Sequence, residues 1–462
     1  MKHLTYTAIM AILLILSSCG KDRSGEFYAL IEDRMWMEKT MLNHYLWYQD
    51  IPVVEDEDDY FQAPATFFKN MLSKEAMDGR GDSYSYMEED PTTNEETKAK
   101  SMTLDNTSTY GMEFNITKDP TGTTNHTYAR ILYTLAGSPA EQAGIQRGDW
   151  LTSINGERIT TSNYQKLIKG GILKVSRSRI VNTDNGAAWQ VMDTLNIGAS
   201  IAMEINPFLT NQVYEIEGQK IAYLVYNEFA TGPNNEASES VYNEQMKQIF
   251  VQFKAQQPDA LILDLRYNNG GYLQCAQALG SLIAPSSAMG QDFIQLTFND
   301  KSDPQIVKYA FDNQYADANL GLDKVYILTS NLTASASEAV IQGLIPYLGK
   351  DNIILIGTKT EGKNVTMQAF RNDVYGLTLW PVVAYVANAD GDGDYGNGFT
   401  PQYRLDENSV ITWYPLGDPR EYLLKNTLSL ITSGTMPDLE SSRIQATNIL
   451  RTSIAEKGIL IH

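Results

Sequence analysis

Histidine is the first residue type to ask about when a chain has candidate nucleophiles, and this one has only four among 462 residues. His3 and His462 lie at the two ends, His44 in an apolar-periodic stretch and His126 in a polar turn. None neighbours a candidate nucleophile, so a Ser-His-Asp triad is hard to assemble. There is no histidine cluster or close cysteine pair to bind zinc, and no glycine loop to cradle phosphate. Neither metal nor other cofactor is expected. A hydrolase built from this sequence would need a base other than histidine.

Three short segments could supply one. In Leu332-Thr333-Ala334-Ser335-Ala336-Ser337-Glu338-Ala339, an apolar strand ends and a helix opens. A serine at such a junction presents its hydroxyl beside the free N–H groups of the first turn, donors that suit an oxyanion. The same residues can equally form a helix cap, with Glu338 completing a capping box. In Gly357-Thr358-Lys359-Thr360-Glu361-Gly362-Lys363, a lysine follows a second apolar strand. Lysine acts as a base only when neutral, and burial disfavours its ammonium form; a solvated turn is the competing reading. In Asp264-Leu265-Arg266-Tyr267-Asn268-Asn269-Gly270-Gly271, a buried strand ends in a glycine pair, which lets backbone N–H groups approach a ligand closely.

The elements that position these pieces alternate. Strands are expected over Lys220–Phe229, Ala260–Leu265, Val325–Ser330 and Ile353–Gly357, with helices over Ser238–Ala255 and Ser337–Leu348. Short apolar β-rich runs separated by helices indicate an α/β layer with parallel pairs. A late β stretch is expected over Leu377–Ala387, and a peripheral helix from Met436 onward. Upstream, Glu26–Tyr48 and Phe61–Leu72 have helical periodicity and form a small helical domain to about residue 103; residues 90–101 read as a polar loop. Between the two lies a β-rich stretch, with strands at Tyr110–Phe114 and Ala129–Leu135. Ser138-Pro139 then reads as cap and first helical position, Gly144 as a stop, and Arg147–Gly156 as turn, strand and tight turn.

The run from Ser138 to Gly156 resembles the "SPAxxAGIxxGDxLxxING" string of PDZ domains. The resemblance implies peptide binding by strand addition, with Tyr110, Gly111 and Met112 where that family places its carboxylate-binding loop. The three chemical segments, in order after a PDZ-like domain, resemble the "LDLRxNxGG", "SASASE" and "GxxTxGK" strings of the C-terminal-processing (tail-specific) serine peptidases. That resemblance implies an α/β multidomain protein: a small N-terminal helical domain, a PDZ-like β domain and a crotonase-like α/β catalytic core. It further implies Ser335 as nucleophile, Lys363 as general base, and an oxyanion hole from Ala336 and Gly270 or Gly271. Gly398-Phe399-Thr400-Pro401 resembles the family's closing "GxxPD" entry, with Gln402 in place of aspartate. The sequence departs from the family elsewhere too. A glutamine often lies four residues after the lysine; here Met367 holds that position and Gln368 follows. A slip of one residue along a strand reverses its facing, so Gln368 needs a bulge to reach Lys363. Pro346 stands where some members have an aspartate, and Ser335 and Lys363 are 28 positions apart, a few more than in well-known members.

The N-terminus reads as a secretory signal: basic Lys2 and His3, apolar Ala8–Leu16, then Leu16-Ser17-Ser18-Cys19. The last four resemble the lipobox of bacterial lipoproteins, implying lipid attachment at Cys19 and a cell-envelope location in a Gram-negative bacterium, at the periplasmic or outer-membrane face. The expected boundaries are a signal over 1–18, tether and helical domain 19–103, PDZ-like domain 104–209, catalytic core 210–435 and a C-terminal helix 436–462. Cys275, the other cysteine, has no partner for a disulfide and reads as a buried structural thiol. A formal charge of −20 argues against nucleic acid and anionic lipid as partners. Asp390-Gly391-Asp392-Gly393-Asp394 spaces carboxylates like a calcium loop but lacks the terminal glutamate, so it reads as an acidic turn. The expected partners are protein or peptide substrates. A peptide-binding surface lipoprotein with an unreactive serine is the alternative. A glycan-binding lipoprotein is a second one, disfavoured because Trp36 and Trp47 fall in helical stretches and Trp150 in the PDZ-like core.

Overall fold

A computed structural model describes residues 24–54, 57–89, 108–184, 186–234, 236–437, 444, 449–454 and 459–461. Cys19 and the signal segment, the 90–101 loop and part of the acidic run at 55–59 lie outside them. Among the described residues, no helix is long and apolar enough to cross a membrane.

The described chain divides into two compact units, and the division does not follow sequence order. The first joins the N-terminal helices to Phe370–Pro381. Its long helix, Ser24–His44, buries Ile31, Met37 and Met41, with Tyr45 just beyond its end, while Leu30 and Met35 of the expected apolar face are exposed. Trp47 falls in a turn rather than a helix. The Tyr86–Glu89, Leu377–Trp380 and Phe370–Asn372 strands form a small antiparallel sheet, with Tyr86 stacked on Trp380. The single β stretch expected over 377–387 is therefore two strands. Pro381 lacks the N–H that a continuous ladder needs, and Val382–Asn388 continues in the other unit.

The second unit holds both the PDZ-like sheet and the α/β layer. The PDZ-like strands include Met112–Lys118, Thr127–Thr134, Trp150–Ile154, Leu173–Thr183 and Gly186–Ile197, packed on a core of Phe114, Ile131, Ala140, Leu151, Ile154 and Val175. Ser138 caps its short helix as expected, accepting from the Glu141 N–H at 3.2 Å. The α/β layer has the strand order 208–216, 219–226, 260–264, 325–329, 353–357, 403–404, parallel throughout except the first pair. Its central strands are buried on both faces, which is why they read as unbroken apolar runs. A second six-stranded sheet lies across the same unit, in the order 271–272, 459–461, 365–368, 382–388, 292–298, 306–310.

Among the described residues of 436–462 there is no helix. Ile449–Thr452 and Ile459–Ile461 are strands, each paired to a sheet. Their isoleucines favour extended backbone, and available strand edges decide what short-range periodicity could not.

Candidate active site

Ser335 sits where the Val325–Thr329 strand gives way to the Ala336–Leu348 helix. Its backbone is at φ 62° and ψ −112°, a conformation that costs a non-glycine residue about 1–3 kcal/mol. The flanks are pinned. Ala334 N–H and Ser337 Oγ both donate to the Asn268 carbonyl, at 3.1 and 3.0 Å, and Thr333 Oγ1 donates to the Leu265 carbonyl at 2.8 Å. The side chain is fully buried, and its Oγ makes no hydrogen bond. The capping-box residues are placed as such, with the Glu338 carboxylate accepting from the Ser335 N–H at 2.9 Å, yet the hydroxyl itself stays unpartnered.

Glu338 does more than cap. One carboxylate oxygen accepts from Thr360 Oγ1 at 2.6 Å and from the Gly362 N–H at 2.8 Å; the other accepts from the N–H groups of Ser335 at 2.9 Å and Lys363 at 2.8 Å. A single buried carboxylate thereby ties the serine junction to the lysine turn. Burial pushes this carboxyl up to about 7, against the pull of its four donors. Lys363 is only 4% exposed. Its turn is wedged against Gly396 and Gly398: a Cβ on Gly362 would fall 2.5 Å from the Gly396 oxygen.

The glycine pair lies on the other side of Ser335. A Cβ added to Gly270 would come within 2.9 Å of Ser335 Cβ and 3.3 Å of the Ala336 nitrogen; one on Gly271 would strike the Phe229 oxygen at 2.3 Å. Backbone therefore touches the serine where no side chain could. The Gly270 N–H already donates to Asn268 Oδ1 at 3.0 Å. Ala336 opens the helix, where N–H groups have no intrahelical partner. Gln368 ends the Val365–Gln368 strand half-buried, and the pairing of that strand with Val382–Asn388 shifts register between Thr366 and Met367. The extra residue of that irregularity, Val383, lies in the partner strand, so it does not change the facing of Gln368 along its own strand. Gln402 holds the adjoining strand through both amide atoms, accepting from Leu355 N–H and donating to the Ile353 carbonyl.

At the PDZ-like loop, Tyr110 and Met112 are buried, and the amides of Tyr110 and Gly111 donate to the Ile168 carbonyl and to Thr109 Oγ1. Cys275 is buried on the helix that follows the glycine pair, donating to the Ala230 carbonyl, and burial pushes its thiol well up. Asn388 closes the acidic 390–394 segment as a turn, accepting from the Asp390 and Asp392 N–H groups.

Two features escaped the sequence reading. One is the bridging role of Glu338. The other is a buried ion cluster beneath the glycine loop. Arg266 binds Asp264 at 2.7 Å, Glu421 at 2.7 Å and Glu407 at 2.9 Å, and Arg147 of the PDZ-like module reaches the same Glu407 at 2.7 Å. Burial alone would push Glu407 up, but Arg147 and Arg266 beside it hold it down at about 2. The signal was present in the sequence: Asp264 and Arg266, two apart at the end of an apolar strand, share a face and must be paired if buried.

Residues 220–405 match peptidase family S41, residues 130–173 a PDZ domain and residues 34–86 the peptidase S41 N-terminal domain. A carboxyl-terminal-processing protease of Synechocystis is 25% identical over 351 residues, covering 73% of this chain and 71% of that protein. The carboxy-terminal processing protease CtpA of Bacillus subtilis is 24% identical over 277 residues, covering 60% of this chain and 53% of its own length. The crystal structure of a Bacteroides fragilis protein assigned to the S41 proteases superposes with a TM-score of 0.73 at 32% identity, covering 87% of this chain and 97% of that one. A strand-to-helix serine, a lysine turn and a glycine pair thus converge in a chain that belongs to peptidase family S41, the serine peptidases of carboxyl-terminal-processing type, and that carries the family's PDZ domain.

Proposed function

We propose that the chain is an endopeptidase acting on extended or unfolded protein segments near their C-termini through a Ser335–Lys363 dyad. The observation that carries this reading is the Glu338 bridge, which gathers the N–H groups of Ser335 and Lys363 onto one carboxylate oxygen while the Ser335 hydroxyl is left unpartnered. In the first step the neutral Lys363 amine takes the Ser335 proton as Oγ attacks the scissile carbonyl. The Ala336 N–H and a glycine-pair N–H stabilise the resulting oxyanion, Gly271 being favoured because the Gly270 N–H is already engaged. Collapse expels the amine, which takes the proton from the Lys363 ammonium and leaves an acyl ester on Ser335. Water then attacks the ester with Lys363 again as base, releasing the acid and regenerating the hydroxyl. Burial of Lys363 supports its part, because burial disfavours the ammonium form. Gln368 is proposed to orient Lys363, and Tyr110–Met112 to border the peptide path.

Cys19 is proposed as the lipid anchor, holding the enzyme at the periplasmic or outer-membrane face of the cell envelope. Hydrolysis of casein by the chain, beside Ser335→Ala and Lys363→Ala, tests the dyad. Both variants should be inactive while folded, and activity surviving Ser335→Ala would sink the assignment. A folded wild type that neither cleaves casein nor reacts at Ser335 with an electrophile would instead point to the peptide-binding alternative.

A further inference from the structure

The strands expected as a helix lead along the path that a substrate would take. Ile449–Thr452 adds antiparallel to the outer edge of Met112–Lys118, in the register Ile449 to Thr117, Arg451 to Ile116 and Thr452 to Asn115. Ser453 extends the pairing: its N–H donates to the Phe114 carbonyl at 3.0 Å, and its Oγ accepts from the Phe114 N–H at 2.7 Å. Leu450 packs against the PDZ-like core. This is strand addition, the way an extended peptide joins an exposed sheet edge, with the peptide supplied by the chain itself.

The segment then turns toward the chemistry. Ile454 packs with Tyr267 and Leu332, which flank the glycine loop and the serine junction. Ser453 and Ile454 line a cavity of about 150 Å³ together with Glu113, Tyr133, Asn269 and Gly270. Ile459–Ile461 runs parallel to two strands at once. Ile459 pairs with Gly271 on one side and Thr366 on the other, Leu460 with Tyr272 and Met367, and Ile461 with Gln368. It is the strand that joins the glycine pair beside Ser335 to the strand that begins two residues after Lys363. Without it, the flanking strands would stand two strand spacings apart, roughly 9–10 Å, a slot for one extended peptide.

We propose that the strands Ile449–Thr452, with Ser453 and Ile454, and Ile459–Ile461 are intramolecular occupants of the peptide path, standing in the substrate's place and holding turnover down until a substrate displaces them. A strand edge pairs with one partner at a time, so an incoming peptide and this segment compete for Met112–Lys118 and for the slot beside Gly271. The occupant also indicates the preferred substrate: an extended stretch rich in isoleucine and leucine. The effect on turnover rests on the Ser335–Lys363 reading; the occupancy does not.

The test therefore has a binding arm and a turnover arm. A fluorescein-labelled peptide of residues 448–462 is titrated by anisotropy against three Ser335→Ala proteins: the full chain, a chain that stops after Asn448, and the full chain with Ser453→Pro, which removes the N–H given to Phe114. The shortened chain and Ser453→Pro should bind at least tenfold more tightly than the full chain. Equal binding to all three, or no binding to a folded shortened chain, overturns the proposal. With Ser335 restored, casein turnover should rise at least fivefold in the shortened chain and in Ser453→Pro, and the free peptide should inhibit the shortened chain. Turnover unchanged in both, with the full chain active, refutes the inhibitory role and leaves the peptidase standing. Inactivity of all three proteins refutes the dyad reading, while the binding arm still decides occupancy.

Discussion

Glu338→Gln isolates what the shared carboxylate does. The substitution keeps the shape and one acceptor oxygen. If that oxygen stays with Thr360 Oγ1 and the Gly362 N–H, the new amide nitrogen faces the N–H groups of Ser335 and Lys363, donor against donor. A buried donor stripped of its acceptor costs about 1–3 kcal/mol. Two of them set an expected destabilisation of roughly 2–6 kcal/mol, with the lower half favoured because the loop can shift. Any such shift moves the serine and the lysine relative to each other, and a misplacement near 1 Å costs on the order of 100-fold in rate. Equilibrium unfolding in urea gives the first number, and steady-state cleavage of a quenched fluorescent peptide the second. The expected result is destabilisation by about 2 kcal/mol or more and turnover slowed roughly 100-fold or more, with KM changed far less. A variant as stable as the wild type, and turning over within about twofold of its rate, would show that the bridge positions nothing.

Glu338 also fixes a pH signature. Its folded value is raised from 4.5 to about 7, so its contribution to stability is fully present below pH 4.5 and is lost as pH rises through 7. The stability of the wild type relative to Glu338→Gln should increase by about 1.4 kcal/mol per pH unit as pH falls from 7 toward 4.5, read from urea midpoints across that range. Glu407 has the opposite sign. Held down at about 2, it stabilises above pH 4.5 and loses that contribution as pH falls toward 2. Arg147→Ala, which strips a buried partner from Glu407 and Glu421, should cost about 3–5 kcal/mol at pH 7 and make acid unfolding begin at higher pH. Gly270→Ala sets a methyl against Ser335 and should slow turnover at least tenfold, with a smaller effect on the urea midpoint. Cys275, buried with its thiol pushed up, should resist maleimide in the native protein and react on unfolding.

The central strands were legible because burial on both faces leaves unbroken apolar runs, and Ser138-Pro139 because its cap and first helical position are local chemistry. The serine junction, the lysine turn and the glycine pair could each be located, but what joins them could not. Glu338 is a good capping residue at the sequence level, and nothing in a string shows that its other oxygen meets a loop 24 positions away. Arg147 shares no local pattern with Glu407, 260 positions on. The misread elements have one cause. Leu377–Ala387 looks like one strand until Pro381 divides it, and Ile449–Thr452 and Ile459–Ile461 extend where open sheet edges receive them; partners remote in sequence decided both.

Ser335 itself carries a cost that points to its use. Its φ of 62° is a glycine conformation, and its hydroxyl is buried without a partner. The strained backbone does nothing for the fold, and the hydroxyl, although at the capping position, completes no hydrogen bond. Replacing it with glycine relieves a backbone cost of about 1–3 kcal/mol, less about 0.5–1 kcal/mol for the freer unfolded chain. Replacing it with alanine leaves the backbone as it is but removes an unsatisfied hydroxyl, also worth about 1–3 kcal/mol. Both variants should therefore be inactive and more stable than the wild type, by roughly 1–2 kcal/mol each, since a group kept for chemistry at the expense of stability leaves stability to be regained when it is removed. Because glycine lacks the hydroxyl as well, a gain in glycine alone assigns the cost to the backbone, and an alanine gain that glycine does not exceed assigns it to the hydroxyl. If both variants unfold more readily than the wild type, Ser335 is a structural cap, and the argument for it as a nucleophile loses its physical basis.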